Sequence, residues 1–583
     1  MNRVVELGRR VGCICLLGIL MVIVLPSCSP NHDTALFQEK IDLLAAEVLT
    51  EDIRWELGEH PAGSVGHAVF MSVCDPQSRA SVYTGTGESL DAAWEAAVAA
   101  SKSALEKSGL QPVWVKADIV YLSKSVSMED LYETLGDTRN GFFQYGVSFD
   151  KAYETALLEA ELNGNEIYDY RAGSINLENL NRYLGEADRA KLNTLPEACA
   201  IFQTFSRFCD EENVVHTIEA SGHGYGHRSV NLVDAVCAEN VVTTAADYLE
   251  AQIKEDGAFI YGYYPKHNNE IESYNILRHA GSVWSLVRRY RMTGDAELAD
   301  GIERAIEYML DRVVYFDEDT AYLYEETDDE IKLGGCGIAI VALTEYMDAF
   351  NTDKHLDVCR KLGNGILSLM DQEEGTYYHV LNGDFSEKEA FRTVYYDGEA
   401  TFALCRLYGM TGEQGWLDAA KAAVDHFIAA DYIQYGDQWV AYAMNEISKH
   451  VKSSEYYTFA LRNVQENCEK NSHGITSPVV LELLLTTFEL YDKMVQRGGT
   501  AAGFETEAFL KAIYNCAEQG LDEYFYPEVA MYMEKPRAIW GAFMVREDSC
   551  RVRIDDVQNN IGGYYLYHEN YEKLVEYGML ECI

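Results

Sequence analysis

Residues 397–430, DGEATFALCRLYGMTGEQGWLDAAKAAVDHFIAA, decide the fold. Ala400, Ala403, Leu404, Leu407 and Tyr408 recur at helical spacing and make one apolar stripe. Thr411 and Gly412 break that helix. Glu413 opens the next, where an acid suits the helix dipole. Leu417, Ala420, Val424, Phe427 and Ile428 then form a second stripe. The stretch is an αα-hairpin, and a lone hairpin has nothing on which to bury its two stripes.

Its neighbours are copies of it. Residues 284–311 read WSLVRRYRMTGDAELADGIERAIEYMLD and residues 341–368 read VALTEYMDAFNTDKHLDVCRKLGNGILS, with turn acids Asp295, Asp353 and Glu413 spaced by 58 and 60 residues. A fourth copy turns near Ser453, and weaker hairpins surround TSPVVLELLLTTFELYDKM and the helix from Asp556. Counting from Val241 gives twelve helices, or six hairpins, a repeat architecture whose units can close into a ring. The turns between paired helices are short. The connections between hairpins are long and emerge together on one face, which is where function is expected.

The 583 residues exceed one ordinary domain. Lys plus Arg total 47 against 94 Asp plus Glu, a formal charge of −47. That surface repels nucleic acid and anionic membranes, so neither is expected as a partner. Residues 1–27 read as a processing segment: Arg3, Arg9 and Arg10, then an apolar run from Val11 to Leu25, then Leu25-Pro26-Ser27-Cys28. This resembles a bacterial lipobox, with Cys28 as the lipidated new N-terminus of an extracytoplasmic, membrane-anchored lipoprotein. The run of fifteen residues falls short of the roughly 20 that span a bilayer. Setting aside Cys13, Cys15 and Cys28 leaves eleven of the fourteen cysteines, scattered singly as small core residues.

Residues 28–65 read as the lipidated N-terminus and a tether with a short helix. GHAVFMSVCD and RASVYTGTG follow as strands, then an Ala-rich helix from about Ser89, then strands at PVWVKADIVYLSKSV and GFFQYGVSFD. Residues 66–235 are therefore a small α/β domain with its connecting segment, and 236–583 the helical ring, expected to fold alone. His223 and His227 are four apart, but the glycines of GHGYGH make their segment a loop rather than a metal-binding helix. No metal or cofactor is expected, at Cys336 or elsewhere.

The phrases YNILRHAG, EDGAFIY, YYDGEA and RLYGMTG, with the hairpin count, resemble the six-hairpin, (α/α)6-toroid glycosidase-like superfamily, which includes glycan hydrolases and uronyl epimerases. The resemblance implies a mainly α protein, an (α/α)6 toroid preceded by the α/β domain, with a glycan as its partner. Glycosidic hydrolysis needs two carboxyl groups. Candidates on the long-loop face are Asp256, Glu374, Asp397, Glu399, Asp437, Asp555 and Asp556, of which Glu399, Asp437, Asp555 and Asp556 are taken as catalytic. Asp397 and Asp437 also suit helix capping. Glu399 should face the cavity near the loop of Arg553, Asp555 and Asp556. A helix start would lower its pKa and suit it to act as a base. Tyr274, Asn275, Arg278, His279, Tyr395, Tyr396 and Trp540 are the candidate substrate contacts, with a buried Arg–acid bridge as the competing role for Arg278. Hydrolase comes first, then uronyl epimerase or lyase, then a surface protein that binds glycan without turnover.

Overall fold

The computed structural model describes residues 30–136, 143–169, 172–471, 478–501, 503–546 and 548–583. The leader segment and Cys28 lie outside the described residues.

The N-terminal third is built on one antiparallel sheet. Its strands are β1 (His67–Cys74), β2 (Ser81–Gly87), β3 (Trp114–Ser127), β4 (Gly146–Ser148), β5 (Ala156–Leu157), β6 (Ala198–Cys209) and β7 (Val215–Ile218). They are ordered β2-β1-β3-β6-β4-β5, with β7 also paired to β6. The period of two sorts β1 between two faces. Val69, Met71 and Val73 meet Phe37, Ile41 and Leu44 of the helix Pro30–Val48 and Ala93, Trp94 and Ala97 of the helix Leu90–Ser108. Ser89 caps the second helix by accepting from the Ala92 amide, at the residue where the sequence placed its start. The segment read as a tether is thus a long helix laid on the sheet.

The other face of β1, with Ala68, Phe70 and Cys74, packs on Met531 and Tyr532 from the C-terminal part of the chain. Two buried ion pairs lie near that seam: Arg228 on Glu528 at 2.7 Å and Lys116 on Asp118 at 2.8 Å. Trp540 also ends here, edge-on to Trp114 at 5.6 Å.

Twelve long helices follow among the described residues: α1 (Ala235–Ala251), α2 (Ile276–Thr293), α3 (Ala296–Leu310), α4 (Leu333–Phe350), α5 (Leu356–Ser368), α6 (Tyr395–Thr411), α7 (Gln414–Ala429), α8 (Gln438–Ile447), α9 (Ser454–Asn471), α10 (Pro478–Gln496), α11 (Thr506–Gly520) and α12 (Ile554–Glu576). The even-numbered helices form an inner ring in which each packs on the next and α12 returns to α2. The odd-numbered helices lie outside. The fold is an (α/α)6 toroid.

Burial explains the two kinds of helix. Inner α4 is buried at nearly every position from Leu333 to Thr344, whereas outer α3 buries a stripe of Leu298, Ile302, Ala305, Ile306 and Met309. The inner-to-outer turns are tight: Gly294 and Gly412 end α2 and α6 in the left-handed conformation, and Asp295 caps α3. The long connections 252–275, 311–332, 369–394, 430–437 and 521–553 all enter the N-terminal ends of inner helices, so they share one face. On it, strand Gly262–Tyr264 pairs with Val552–Arg553 and joins the first and last of these loops.

The ring has no open bore at the level of α2 residues 284–288. Trp284 lies 6.1 Å from Phe402 of α6 and 5.7 Å from Trp439 of α8, the helix opposite α2. One turn on, Arg288 stacks on Trp284 at 3.7 Å, reaches the Tyr442 hydroxyl at 3.3 Å and lies 3.9 Å from Glu482 of α10.

Candidate functional site

At the mouth of the ring, α6 and α8 begin side by side. Asp437 caps α8, its Oδ1 accepting from the Trp439 amide at 2.9 Å, which is the structural role its position suggested. Its other oxygen is buried and has no hydrogen-bond partner. Glu399, in the second turn of α6, is 3% exposed and likewise has Oε2 buried without a partner. Gly334 and Gly337 of α4 make this possible. A methyl group at Gly334 would lie 1.8 Å from Glu399 Oε2, and one at Gly337 2.8 Å from the Glu399 backbone.

Asp397 completes the group and is fully engaged. His379 Nδ1 accepts from the Arg392 amide at 3.0 Å, so the ring proton sits on Nε2, which donates to Asp397 Oδ1 at 2.9 Å. The Tyr432 hydroxyl donates to the other oxygen at 2.8 Å. Burial, then repulsion from Asp437 and Asp397, holds the Glu399 carboxyl well above the usual range. Burial pushes Asp437 up to about 8, against the pull of the amides it caps. The expectation of a lowered, base-like Glu399 is therefore corrected. Two acids and desolvation outweigh a helix start that Glu399 does not directly cap.

Around these buried acids stand exposed rings. Phe391 is 55% exposed and 4.7 Å from His379, Tyr395 is 47% exposed, and Tyr435 is 48% exposed and edge-on to Tyr432. Tyr395 lies close enough to Asp437 and Glu399 to feel the charge of both. Tyr396, in contrast, is buried. The cations of the neighbouring loop are occupied: Arg392 grips Glu330 with two bonds of 2.6 and 2.9 Å, Lys388 adds 2.8 Å, and Glu330 is pulled down to about 2.

The remaining candidates gather elsewhere. Asp555 and Asp556 begin α12, opposite α6 in the ring order, where Arg553 contacts both at 3.1 and 3.3 Å and Arg278 reaches Asp555 at 3.2 Å. The carboxyl neighbours of Glu399 are accordingly Asp437 and Asp397, not Asp555 and Asp556. Arg278 also donates to the Tyr261 hydroxyl at 2.5 Å, so the ion-bridge role describes it. Helix α2 starts after Tyr274 and Asn275, which breaks the expected face-sharing. Asn275 caps the helix, and Tyr274 binds His279 Nδ1 at 2.7 Å. His279 is fully buried, holds the Ala305 carbonyl at 2.8 Å, and is pushed down to about 4 by burial. Neither Tyr274 nor His279 is available to a sugar, and Trp540 is spent on Trp114. Asp256 and Glu374 lie in turns of the same face. His227 is buried directly after the left-handed Gly226, His223 between Gly222 and Gly226 is exposed, and Cys336 is a buried core thiol.

Sequence reasoning missed His379, Tyr432, Phe391 and Tyr435. The signal that could have led to the acids is the GGCG of residues 334–337, four small or apolar residues opening an inner helix against α6.

No protein-family model and no curated protein sequence matches the chain. Among solved structures, a D-mannose isomerase is 10% identical, with 59% of this chain and 100% of that chain covered and a TM-score of 0.46. The cellobiose 2-epimerase of Spirochaeta thermophila is 9% identical, with 58% and 98% covered and a TM-score of 0.45. The family 76 glycoside hydrolase Bt3792 of Bacteroides thetaiotaomicron, a mannosidase, is 11% identical, with 58% and 99% covered and a TM-score of 0.42. These neighbours are six-hairpin, glycosidase-like enzymes. The fold and the chemistry of this mouth rest on this chain's own residues.

Proposed function

We propose that this protein acts on a carbohydrate by acid–base catalysis at the start of α6 and α8, as a glycoside hydrolase. The observation that carries the reading is the pair of buried carboxyls, Glu399 and Asp437, each with an unpartnered oxygen and each pushed toward its protonated form, with the half-exposed Tyr395 nearby. With Asp437 pushed up to about 8 and Glu399 well above the usual range, both carboxyls keep their protons at neutral pH, and the state with one acid and one carboxylate is populated as pH rises through about 8. Glycosidic cleavage needs that combination: the acid protonates the leaving oxygen, and the carboxylate attacks the sugar or activates water. Glu399, the more strongly raised, is the proton donor. Asp437 becomes the carboxylate as pH rises toward 8, so turnover should climb over that range, and Asp397, held by His379 and Tyr432, positions the pair. Phe391, Tyr395 and Tyr435 offer flat apolar faces to sugar rings.

The substrate this mouth suits is uncharged, because Arg392 and Lys388 are committed to Glu330 and the surface as a whole is acidic. That weighs against a uronyl epimerase, as does the engagement of Arg278 and Arg553 with Asp555. We place the protein outside the cytoplasm, tethered through a lipid on Cys28, on the strength of the leader sequence alone.

The test is release of reducing ends from neutral polysaccharides by wild type and Glu399→Gln. Loss of the donor should cost roughly two to four orders of magnitude in turnover while binding persists. Full activity per folded molecule in the variant sinks the assignment. A second reading, glycan binding without turnover, is favoured by the burial of both acids. Wild type that binds glycan and never releases reducing ends would select it.

A further inference from the structure

The mouth face carries aromatic surface that the acid pair does not use. Between the turn at Phe316–Thr320 and the loop running from Leu369 to Glu387 lies an open groove of about 630 Å³. Phe316 stands 59% exposed at its edge, its ring edge-on to Phe385 at 5.3 Å. Phe385 leans in turn on Tyr322 at 5.8 Å, and the Tyr322 hydroxyl is fixed by Ser368 at 2.7 Å. The backbone at Phe385 is left-handed, with φ of 67°. A bulky side chain adopts that conformation only where its surroundings impose it, and such positions cluster at ligand sites.

The charged groups lining the groove are Asp317, Asp371 and Glu387, and no Lys, Arg or His lines it. Asp317 and Asp371 each accept turn amides on Oδ1, the Thr320 hydroxyl adds a bond to Asp317, and the remaining carboxylate lone pairs are acceptors. Rings to stack on, with acceptors and no cations beside them, match a ligand with an apolar C–H face and a hydroxyl edge, and they repel an anion. The groove also adjoins the acid site: Tyr378 and Leu381 line it, while His379 between them binds Asp397.

We propose that this groove is a second saccharide subsite, holding a neutral sugar unit of the glycan whose neighbouring units reach Glu399 and Asp437. That the two places share one glycan rests on the reading of the acid pair. That the groove holds a neutral sugar does not.

The experiment is affinity electrophoresis of the full chain in gels containing mannan, xylan or mixed-linkage β-glucan, with polygalacturonate as the anionic comparison. Wild type and Glu399→Gln should be retarded alike by at least one neutral polymer and not by polygalacturonate. Phe316→Ala removes an exposed ring, and Phe385→Gly removes a ring while relieving the left-handed backbone. Each should weaken retardation roughly 2- to 10-fold with an unchanged melting temperature. The proposal is overturned if no neutral polymer retards wild type, if both variants bind as wild type, or if polygalacturonate is retained equally. Binding that depends on Phe316 in a protein without turnover would sink the acid-pair reading and keep the groove. Turnover lost in Glu399→Gln with binding indifferent to Phe316 would do the reverse.

Discussion

Asp437→Asn should make the protein more stable, and by an amount that depends on pH. In the folded chain burial pushes this carboxyl up to about 8, whereas an unfolded Asp titrates near 3.9. A gap of about 4 units at ~1.4 kcal/mol each gives a ceiling of about 5 kcal/mol. Between those two values the folded state keeps a proton that the unfolded state has released. The associated stability is therefore complete below about pH 4 and is lost as pH rises toward 8. Asn does not titrate, and its side-chain oxygen can still accept from the Trp439 amide. Glu399 continues to titrate in the variant, with one repelling carboxylate fewer. Melting followed by calorimetry at pH 4.5, 6, 7 and 8 should show the two proteins close together at the acid end. The variant should lead by up to roughly 4 °C at pH 8. A variant whose melting temperature tracks wild type across the series would refute the buried, raised carboxyl and with it the acid pair.

Other consequences follow from packing. Arg228→Met strands the buried Glu528 carboxylate at the seam between sheet and ring and should cost about 3–5 kcal/mol, with Glu528→Gln in the same chain restoring part of the loss in denaturant melts. Gly337→Ala drives a methyl group to 2.8 Å from the Glu399 backbone, so it should destabilise by roughly 1–3 kcal/mol and lower activity together with stability. A fragment beginning at Asn231 keeps the closed inner ring and should unfold cooperatively, but it bares Met531, Tyr532 and Glu528. It should melt below the full chain, and a fragment with no cooperative transition would show that the ring needs the sheet.

The ring was legible because its signal is repeated. Asp295 and Ser453 sit where the turn reading put them, each accepting a bond at the start of its outer helix. Strand β6 was harder to see, since ACAIFQTFSRFC mixes Gln, Thr, Ser and Arg among its apolar residues and lies between two covered faces that blur the alternation. At the mouth, topology led to Glu399 near the start of α6 but not to its carboxyl neighbours or its protonation, because Asp437 lies 38 residues away and no local pattern joins them. The YNILRHAG cluster misled for a related reason. Four-residue spacing implies a shared face only inside a helix, and Tyr274 and Asn275 precede α2.

The stacked Trp284 and Arg288, wedged against Phe402, Trp439 and Tyr442, turn the ring from a tube into a cup with a floor. A polymer cannot thread through such a vessel. Whatever enters must leave by the rim it came in by, so arrival and departure compete for the same doorway. A long chain can meet the floor only with one of its ends, or else lie across the rim with its middle. The pattern of fragment lengths released early in a digest would tell these two modes of traffic apart without reference to any single residue.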